Sequence, residues 1–413
     1  MKKEQSQLEK ILLIRKNLAQ FFIDKNKLAS QKHSVFASLL RNKYKLSKQQ
    51  ACDLCETYNA IANIRSLKLS ERRKLFFIHK KHTGHLLHVV ESEQFTKTEI
   101  EKYINYALRL KHYLSKNKDN YVKRLKLKKL LPDKIIFNLF IERSLRTHRS
   151  FDAAAKMLGA SVINEKDPAA ISLMSRNESF ADSIRTFCQY ADLIVLRAPW
   201  AYSTEEAIES QRNLQNITSV INAGSGSDQH PTQGLLDIMT IKEALGIKSF
   251  EELKKKRVAI IGTKFKRALR SFIITLHAVC PEIEFSIITS PQQPFPEDII
   301  KKLNLGTPNI TISNSLKDGI RNALVIYLAR PEIELANYNP KIFRLTIRDL
   351  EIANERCIIL HPLPRTDEMD YDFDKVSSNK IWNQVENGLY IRSILLLDCF
   401  GRLEKLDKIL QRV

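Results

Sequence analysis

The chain contains no Gly-x-x-x-x-Gly-Lys phosphate loop, no Gly-x-Gly-x-x-Gly after a strand, no Gly-x-Ser-x-Gly elbow and no His-Glu-x-x-His pair. These absences remove the sequence signs of a P-loop or dinucleotide site, a strained serine nucleophile and a helical zinc pair. Long apolar runs are also missing. None approaches the roughly 20 residues that cross a bilayer, and the lysine-led N-terminus has its apolar stretch broken by Arg15 and Lys16, unlike a signal peptide. Cysteine is sparse and scattered: Cys52, Cys55, Cys188, Cys280, Cys357 and Cys399. A chain of 413 residues can bury cores without disulfides, so these read as reduced thiols of a cytoplasmic protein. Cys52 and Cys55 have metal-ligand spacing, but no second pair lies nearby to complete four ligands, and i, i+3 on one helix face is ordinary packing. There are no internal repeats or low-complexity runs.

Charge is abundant and one-sided. Residues 1–84 hold 19 Lys and Arg against 6 Asp and Glu, so +13 of the net +21 lies in that segment. A basic arm of this kind fits nucleic acid, an acidic partner or an anionic membrane surface, and equally a solvated helical surface. The length predicts two or three domains.

Residues 1–84 have apolar positions (Leu8, Ile11, Leu12, Leu18, Phe21, Phe22) near helical spacing and no strand-like alternation. Ser47 and Ser70 are candidate caps there, and Thr96 or Thr98 starts a helix to about Leu114. A lysine-rich connection, 116–129, leads into a regular alternation. Strands are expected at 135–140, 161–163, 193–197 and 220–223, with helices at 150–158, 179–190 and 204–213. A helix at 234–244 precedes a second set of strands at 257–261, 284–289, 310–313, 324–328 and 358–360, and a helix at 389–400 closes the chain. This βαβ order predicts an α/β protein with two parallel-sheet domains preceded by a helical extension. The expected divisions are 1–84, 85–233, 234–388 and a C-terminal helix, 389–413, that packs back on the first α/β domain.

Chemistry-bearing residues fall at the strand ends, where ligands of such sheets bind. Ser144, Arg146 and Thr147 follow the first strand and open a helix, an arrangement suited to an anion. Arg197 ends another strand, and Asn222 to Gly226 and Gln229-His230-Pro231-Thr232-Gln233 follow a third. Arg267 follows a strand of the second set, Arg330 ends one, and His361-Pro362-Leu363-Pro364 ends the last. Cationic and hydrogen-bonding groups delivered in this way predict one or two anionic substrates. With no sign of a covalent nucleophile, a metal or a redox cofactor, the expected chemistry is transfer between two bound substrates by positioning and charge stabilisation.

The set Ser144-x-Arg146-Thr147-x-x-Ser150-Phe151, Gln229 to Gln233 with Leu235-Leu236-Asp237, and His361-Pro362-Leu363-Pro364-Arg365-x-Asp367-Glu368 resembles the aspartate carbamoyltransferases over about residues 85–405. The resemblance implies attack of the aspartate α-amine on the carbamoyl carbon of carbamoyl phosphate, with loss of phosphate and no cofactor. Ser144, Arg146 and Thr147 would hold the phosphate, and Arg197 would bridge it to the carbamoyl oxygen. His230 would polarise that oxygen and Gln233 would meet the carbamoyl nitrogen. Arg267 and Arg330 would bind the aspartate carboxylates, and the backbone at Leu363, before a cis bond to Pro364, would orient the amines. Ser172 and Arg176 lie on the segment that, in the family, reaches a neighbouring subunit's site, which implies a homotrimer with shared sites.

The sequence departs from the family's pattern at named places. Leu145 stands where the family has Thr, His148 where it has Arg, Arg176 where it has Lys, and Glu332 where it has Gln; the 264–267 segment is one residue short. Losing a hydroxyl contact to phosphate at Leu145 costs about 1.5–3 kcal/mol. A Glu332 carboxylate about 4 Å from that of aspartate costs up to about 4 kcal/mol at an effective dielectric of 20. Two alternatives follow: a carbamoyltransferase-fold protein acting as a binding or scaffold subunit, and a carbamoyltransferase for another amine.

Overall fold

The computed structural model describes residues 67–78, 84–115, 120–165, 179–262, 266–289, 295–303, 309–329 and 343–411, with six single positions between 41 and 61. Ala51, Leu54, Cys55, Tyr58 and Ile61 are helical and buried, the i, i+3, i+4, i+7 pattern of one helix face. A helix follows at Leu69–Phe76. It runs into a two-residue strand, β1 (Phe77–Ile78), paired antiparallel with β2 (His85–Leu86). An all-helical reading of 1–84 is corrected here: two residues are too short a run to show alternation. Ser70, a candidate cap, lies inside its helix. Thr96 does cap the next helix, Lys97–Ser115: its backbone N–H and hydroxyl both reach the Glu99 carboxylate, and its oxygen accepts the Glu99 N–H.

The residues form two compact units, one of 1–94, 112–229 and 392–413, the other of 95–111 and 230–391. In the first, β3 (Ile135–Phe140), β4 (Ser161–Glu165), β5 (Leu193–Ala198) and β6 (Ser219–Ser225) make a parallel sheet in the order β4-β3-β5-β6. Every residue of β5 and β6 is buried, as a parallel strand covered on both faces requires. One core of this unit packs Phe137, Ile184, Ile194, Leu196 and Trp200. The chain runs from β3 outward to β4 and then crosses to the other side of β3. The strand order therefore reverses between β3 and β5, and the space beyond their C-terminal ends is where ligands of such sheets bind.

The second unit repeats the device. Strands β7 (Arg257–Ile261), β8 (Glu284–Ile288), β9 (Ile310–Ser313), β10 (Ala323–Leu328) and β11 (Ile358–Leu360) are parallel in the order β11-β10-β7-β8-β9. Here the reversal lies between β7 and β10. Beyond it, the Ala329 N–H donates to the Ile261 carbonyl at 2.8 Å. A Cβ on Gly262 would come within 3.1 Å of the Ala329 Cβ, so the two chains close tightly at this point.

Several elements are longer than their apolar pattern. The helix expected from residue 150 begins at Leu145 and runs to Leu158, because its first turn is polar and shows no periodicity. The 116–129 connection contains a helix, Asn120–Lys128. Its inner face carries Lys123, buried, with its ammonium on the Tyr113 carbonyl and 4.7 Å from that ring's centroid. The last long helix starts at Ile381, not 389, and ends at Cys399. Its added turns bury Gln384 and Asn387, polar residues that a hydrophobic pattern cannot reveal.

Candidate active site

In the first unit the chain leaves β3 through a turn pinned to the neighbouring strand. The Ile141 and Glu142 N–H groups donate to the Arg197 carbonyl at 2.9 and 3.3 Å, extending the β3–β5 pairing past Phe140, which faces Arg197 in register. Ser144 then takes an extended conformation (φ −155°, ψ 104°) and caps the Leu145–Leu158 helix without using its side chain. The positive end of the helix dipole therefore lies at this turn, beyond the C-terminal end of β3. Ser144 is half-buried, Arg146 exposed and Thr147 buried. The turn thus carries two hydroxyl residues and an arginine at a helix N-terminus.

Arg197, the last residue but one of β5, has its side chain almost buried. Its Nη1 donates to the Ala223 carbonyl at 3.1 Å and its Nη2 to Glu142 Oε1 at 2.8 Å. The helix is held from behind by Arg392, whose Nη1 donates to Ser150 Oγ at 2.7 Å and whose guanidinium lies 5.3 Å from the Phe151 ring centroid. Leu145 is 74% exposed at the head of the helix. His148 turns inward instead, edge-on to Phe140 with ring centroids 4.7 Å apart.

In the second unit His230 caps the helix Pro231–Leu245. Its N–H donates to Ser271 Oγ at 2.8 Å, a contact set by the close crossing of helices Pro231–Leu245 and Arg267–Val279. A Cβ on Gly234 would lie 2.4 Å from Thr275 Oγ1 and 2.7 Å from the Ser271 carbonyl oxygen. One turn on, Gln233 Nε2 donates to Asp237 Oδ1 at 2.9 Å. Arg267, half-buried, is the first residue of its helix. The segment after β11 holds His361 with its Nε2 2.7 Å from Glu368 Oε1 and its Nδ1 2.7 Å from the Leu363 nitrogen. Burial pushes the Glu368 carboxyl up, but hydrogen bonds from His361 and Thr366 outweigh it and hold its pKa at about 2. Leu363 has φ 59°, and the Leu363–Pro364 bond is cis.

Ser144, Arg146, Thr147 and Arg197 are thus grouped in the first unit, and His230, Gln233, Arg267, Leu363 and Pro364 belong to the second. Ser172, Arg176, Arg330 and Glu332 lie outside the described residues. Sequence reasoning gave no role to Glu142, Asp237, Glu368, Gln384 or Arg392. For Asp237 a signal was present, since it sits four residues after Gln233 on one helix, where side chains meet. Among the described residues no group of His, Cys, Asp and Glu is arranged to hold a metal ion, and no helix is long and apolar enough to cross a membrane.

Two parallel α/β units, each with polar groups beyond a sheet reversal, are the architecture of the carbamoyltransferases. Residues 87–243 match the aspartate/ornithine carbamoyltransferase carbamoyl-P binding domain and 254–399 the Asp/Orn binding domain of the same family. The chain belongs to the aspartate/ornithine carbamoyltransferase family. It is 33% identical over 328 residues to the aspartate carbamoyltransferase catalytic subunit of Alkaliphilus oremlandii, covering 77% of this chain and 92% of that protein. The catalytic subunit of the M. jannaschii aspartate transcarbamoylase superposes with a TM-score of 0.65 at 30% identity, over 77% of this chain and 99% of that one. A Trypanosoma cruzi aspartate transcarbamoylase solved with carbamoyl aspartate and phosphate gives 0.64 at 27%, over 75% and 95%.

Proposed function

We propose that this protein transfers the carbamoyl group of carbamoyl phosphate to the α-amine of aspartate, giving N-carbamoyl-aspartate and phosphate. The observation that carries this reading is the turn after β3, which is bonded to Arg197 through Glu142 and opens the helix that begins Leu145-Arg146-Thr147, in a chain whose relatives are aspartate carbamoyltransferase catalytic subunits. The phosphate sits on the first-turn amides, the Ser144 and Thr147 hydroxyls and Arg146. Arg197 spans it and the carbamoyl oxygen, and His230 meets that oxygen.

The amine nitrogen forms a bond to the carbamoyl carbon, and the oxygen takes negative charge in a tetrahedral intermediate. Arg197 and His230 stabilise that charge as it develops. The intermediate collapses by breaking the bond to the phosphate oxygen, and the proton lost by the amine leaves with the phosphate. Gln233 holds the carbamoyl nitrogen, Leu363 and Pro364 orient the amines, and Arg267 with Arg330 binds the aspartate carboxylates. Ser172 and Arg176 complete a neighbouring subunit's site, so the working form is a cytoplasmic homotrimer.

Purified chain given millimolar carbamoyl phosphate and aspartate is expected to form carbamoyl aspartate; absence of turnover with both substrates bound would overturn this reading. A second reading, binding without transfer, is motivated by Leu145, whose exposed apolar side chain heads the phosphate helix. That protein would bind carbamoyl phosphate in calorimetry and leave it intact.

A further inference from the structure

Five polar side chains of the second unit, Asp237, Tyr327, Gln384, His361 and Glu368, are each 0–2% exposed and form one directed hydrogen-bond chain. Asp237 Oδ1 accepts from Gln233 Nε2 at 2.9 Å and from Gln384 Nε2 at 2.6 Å, and its Oδ2 accepts from the Tyr327 hydroxyl at 2.9 Å. Gln384 Oε1 accepts the His361 backbone N–H at 2.9 Å. His361 in turn bridges Leu363 and Glu368.

The directions follow from which groups can donate. A carboxylate receiving three donors only accepts, so Gln233 must turn its Nε2 toward Asp237, which leaves its Oε1 facing away. A backbone N–H only donates, so His361 Nδ1 carries no proton and Nε2 carries the one given to Glu368; the ring is neutral. Leu363 thereby has its N–H occupied and its carbonyl left to offer. Both ends of the chain present acceptor oxygens.

We propose that Asp237, Gln384 and His361 are positioning residues that hold Gln233 and the Leu363 backbone as a pair of hydrogen-bond acceptors for the N–H groups of the carbamoyl donor and its amine acceptor. This rests on the reaction proposed above, in which those two residues meet nitrogen atoms. Apolar side chains would fill the same space without the cost of burying five polar groups. A desolvated, fully paired network fixes dipoles before the substrate arrives.

The test uses the purified full chain and the variants Asp237→Leu, Asp237→Asn, Gln384→Met and Gln233→Ala, with steady-state kinetics and calorimetry. Asp237→Leu and Gln384→Met are expected to lower kcat by about 10- to 100-fold. Their affinity for inorganic phosphate stays at the wild-type value, because that ligand has no amide or amine. Asp237→Asn stays within about threefold of wild type, since Asn keeps an acceptor for both amides while the Tyr327 hydroxyl reverses. Adding Asp237→Leu to Gln233→Ala lowers kcat by less than the product of the two single losses, because only the branch that runs through Gln384 and His361 to Leu363 is left to disturb.

Multiplicative losses in that double variant, or wild-type kcat in both Asp237→Leu and Gln384→Met, overturn the proposal. Gln384→Met with Gln233→Ala makes the same cycle where Asp237→Leu does not fold. A wild-type chain that forms no carbamoyl aspartate refutes the reaction instead. The relay is then read from carbamoyl phosphate affinity, which Asp237→Leu must weaken while phosphate affinity holds; equal affinity for carbamoyl phosphate in the two proteins overturns it.

Discussion

Arg197 Nη2 lies 2.8 Å from Glu142 Oε1, so the guanidinium proposed to span phosphate and carbamoyl oxygen is already paired with a carboxylate of the same turn. An incoming phosphate must share or displace that partner, and it also meets the carboxylate's charge. At an effective dielectric of 20, a like charge about 6–10 Å away costs about 2–3 kcal/mol before screening by salt.

Glu142→Gln removes the charge and keeps a carbonyl oxygen for Arg197. Inorganic phosphate is expected to bind this variant about tenfold more tightly in calorimetry. Unchanged affinity would show that the anion does not reach Arg197.

The strands were legible in the sequence because parallel strands covered on both faces read as apolar runs; 135–140, 257–261 and 358–360 coincide with β3, β7 and β11. The first strand end was legible as well, since an apolar run followed by Ser144, Arg146 and Thr147 has a mechanism behind it. What escaped was polar burial. Gln384 and Asn387 line the inner face of the last long helix, Lys123 that of an earlier one, and Arg392 reaches Ser150 across 242 positions of sequence. Buried polar side chains imitate loop composition, and a partner that far along the chain leaves no local period. Glu142 and Asp237 were in view inside the motifs, but only the fold shows that each holds a neighbouring side chain.

His88 is 1% exposed, and its Nδ1 accepts the Val220 backbone N–H at 3.1 Å. Burial lowers its pKa from 6.5 to about 3, so between those values the unfolded chain binds a proton that the folded chain refuses. The neutral ring's contribution is therefore whole above pH 6.5 and is lost as pH falls toward 3, amounting to at most about 5 kcal/mol over that window. His88→Asn, whose Oδ1 replaces the acceptor, should make stability less sensitive to acid. Urea midpoints at pH 7 and pH 5 check this: the wild type should lose about 2 kcal/mol more than the variant between them, and parallel losses would refute it.

Leu145 offers the converse test, a gain of function. Its side chain is 74% exposed at the first position of the Leu145–Leu158 helix, so replacement costs folding only about 0.5 kcal/mol or less. A hydroxyl placed there can donate to a phosphate oxygen, a charged-group hydrogen bond of about 1.5–3 kcal/mol. Leu145→Thr should then raise kcat/KM for carbamoyl phosphate by about 10- to 100-fold. If the gain is in KM alone, the hydroxyl binds donor and transition state equally; a gain in kcat means that the contact tightens as phosphate departs. No gain in either, with carbamoyl phosphate affinity also unchanged, would mean that the anion rests deeper in the turn, on Ser144 and Thr147, and that position 145 never meets it.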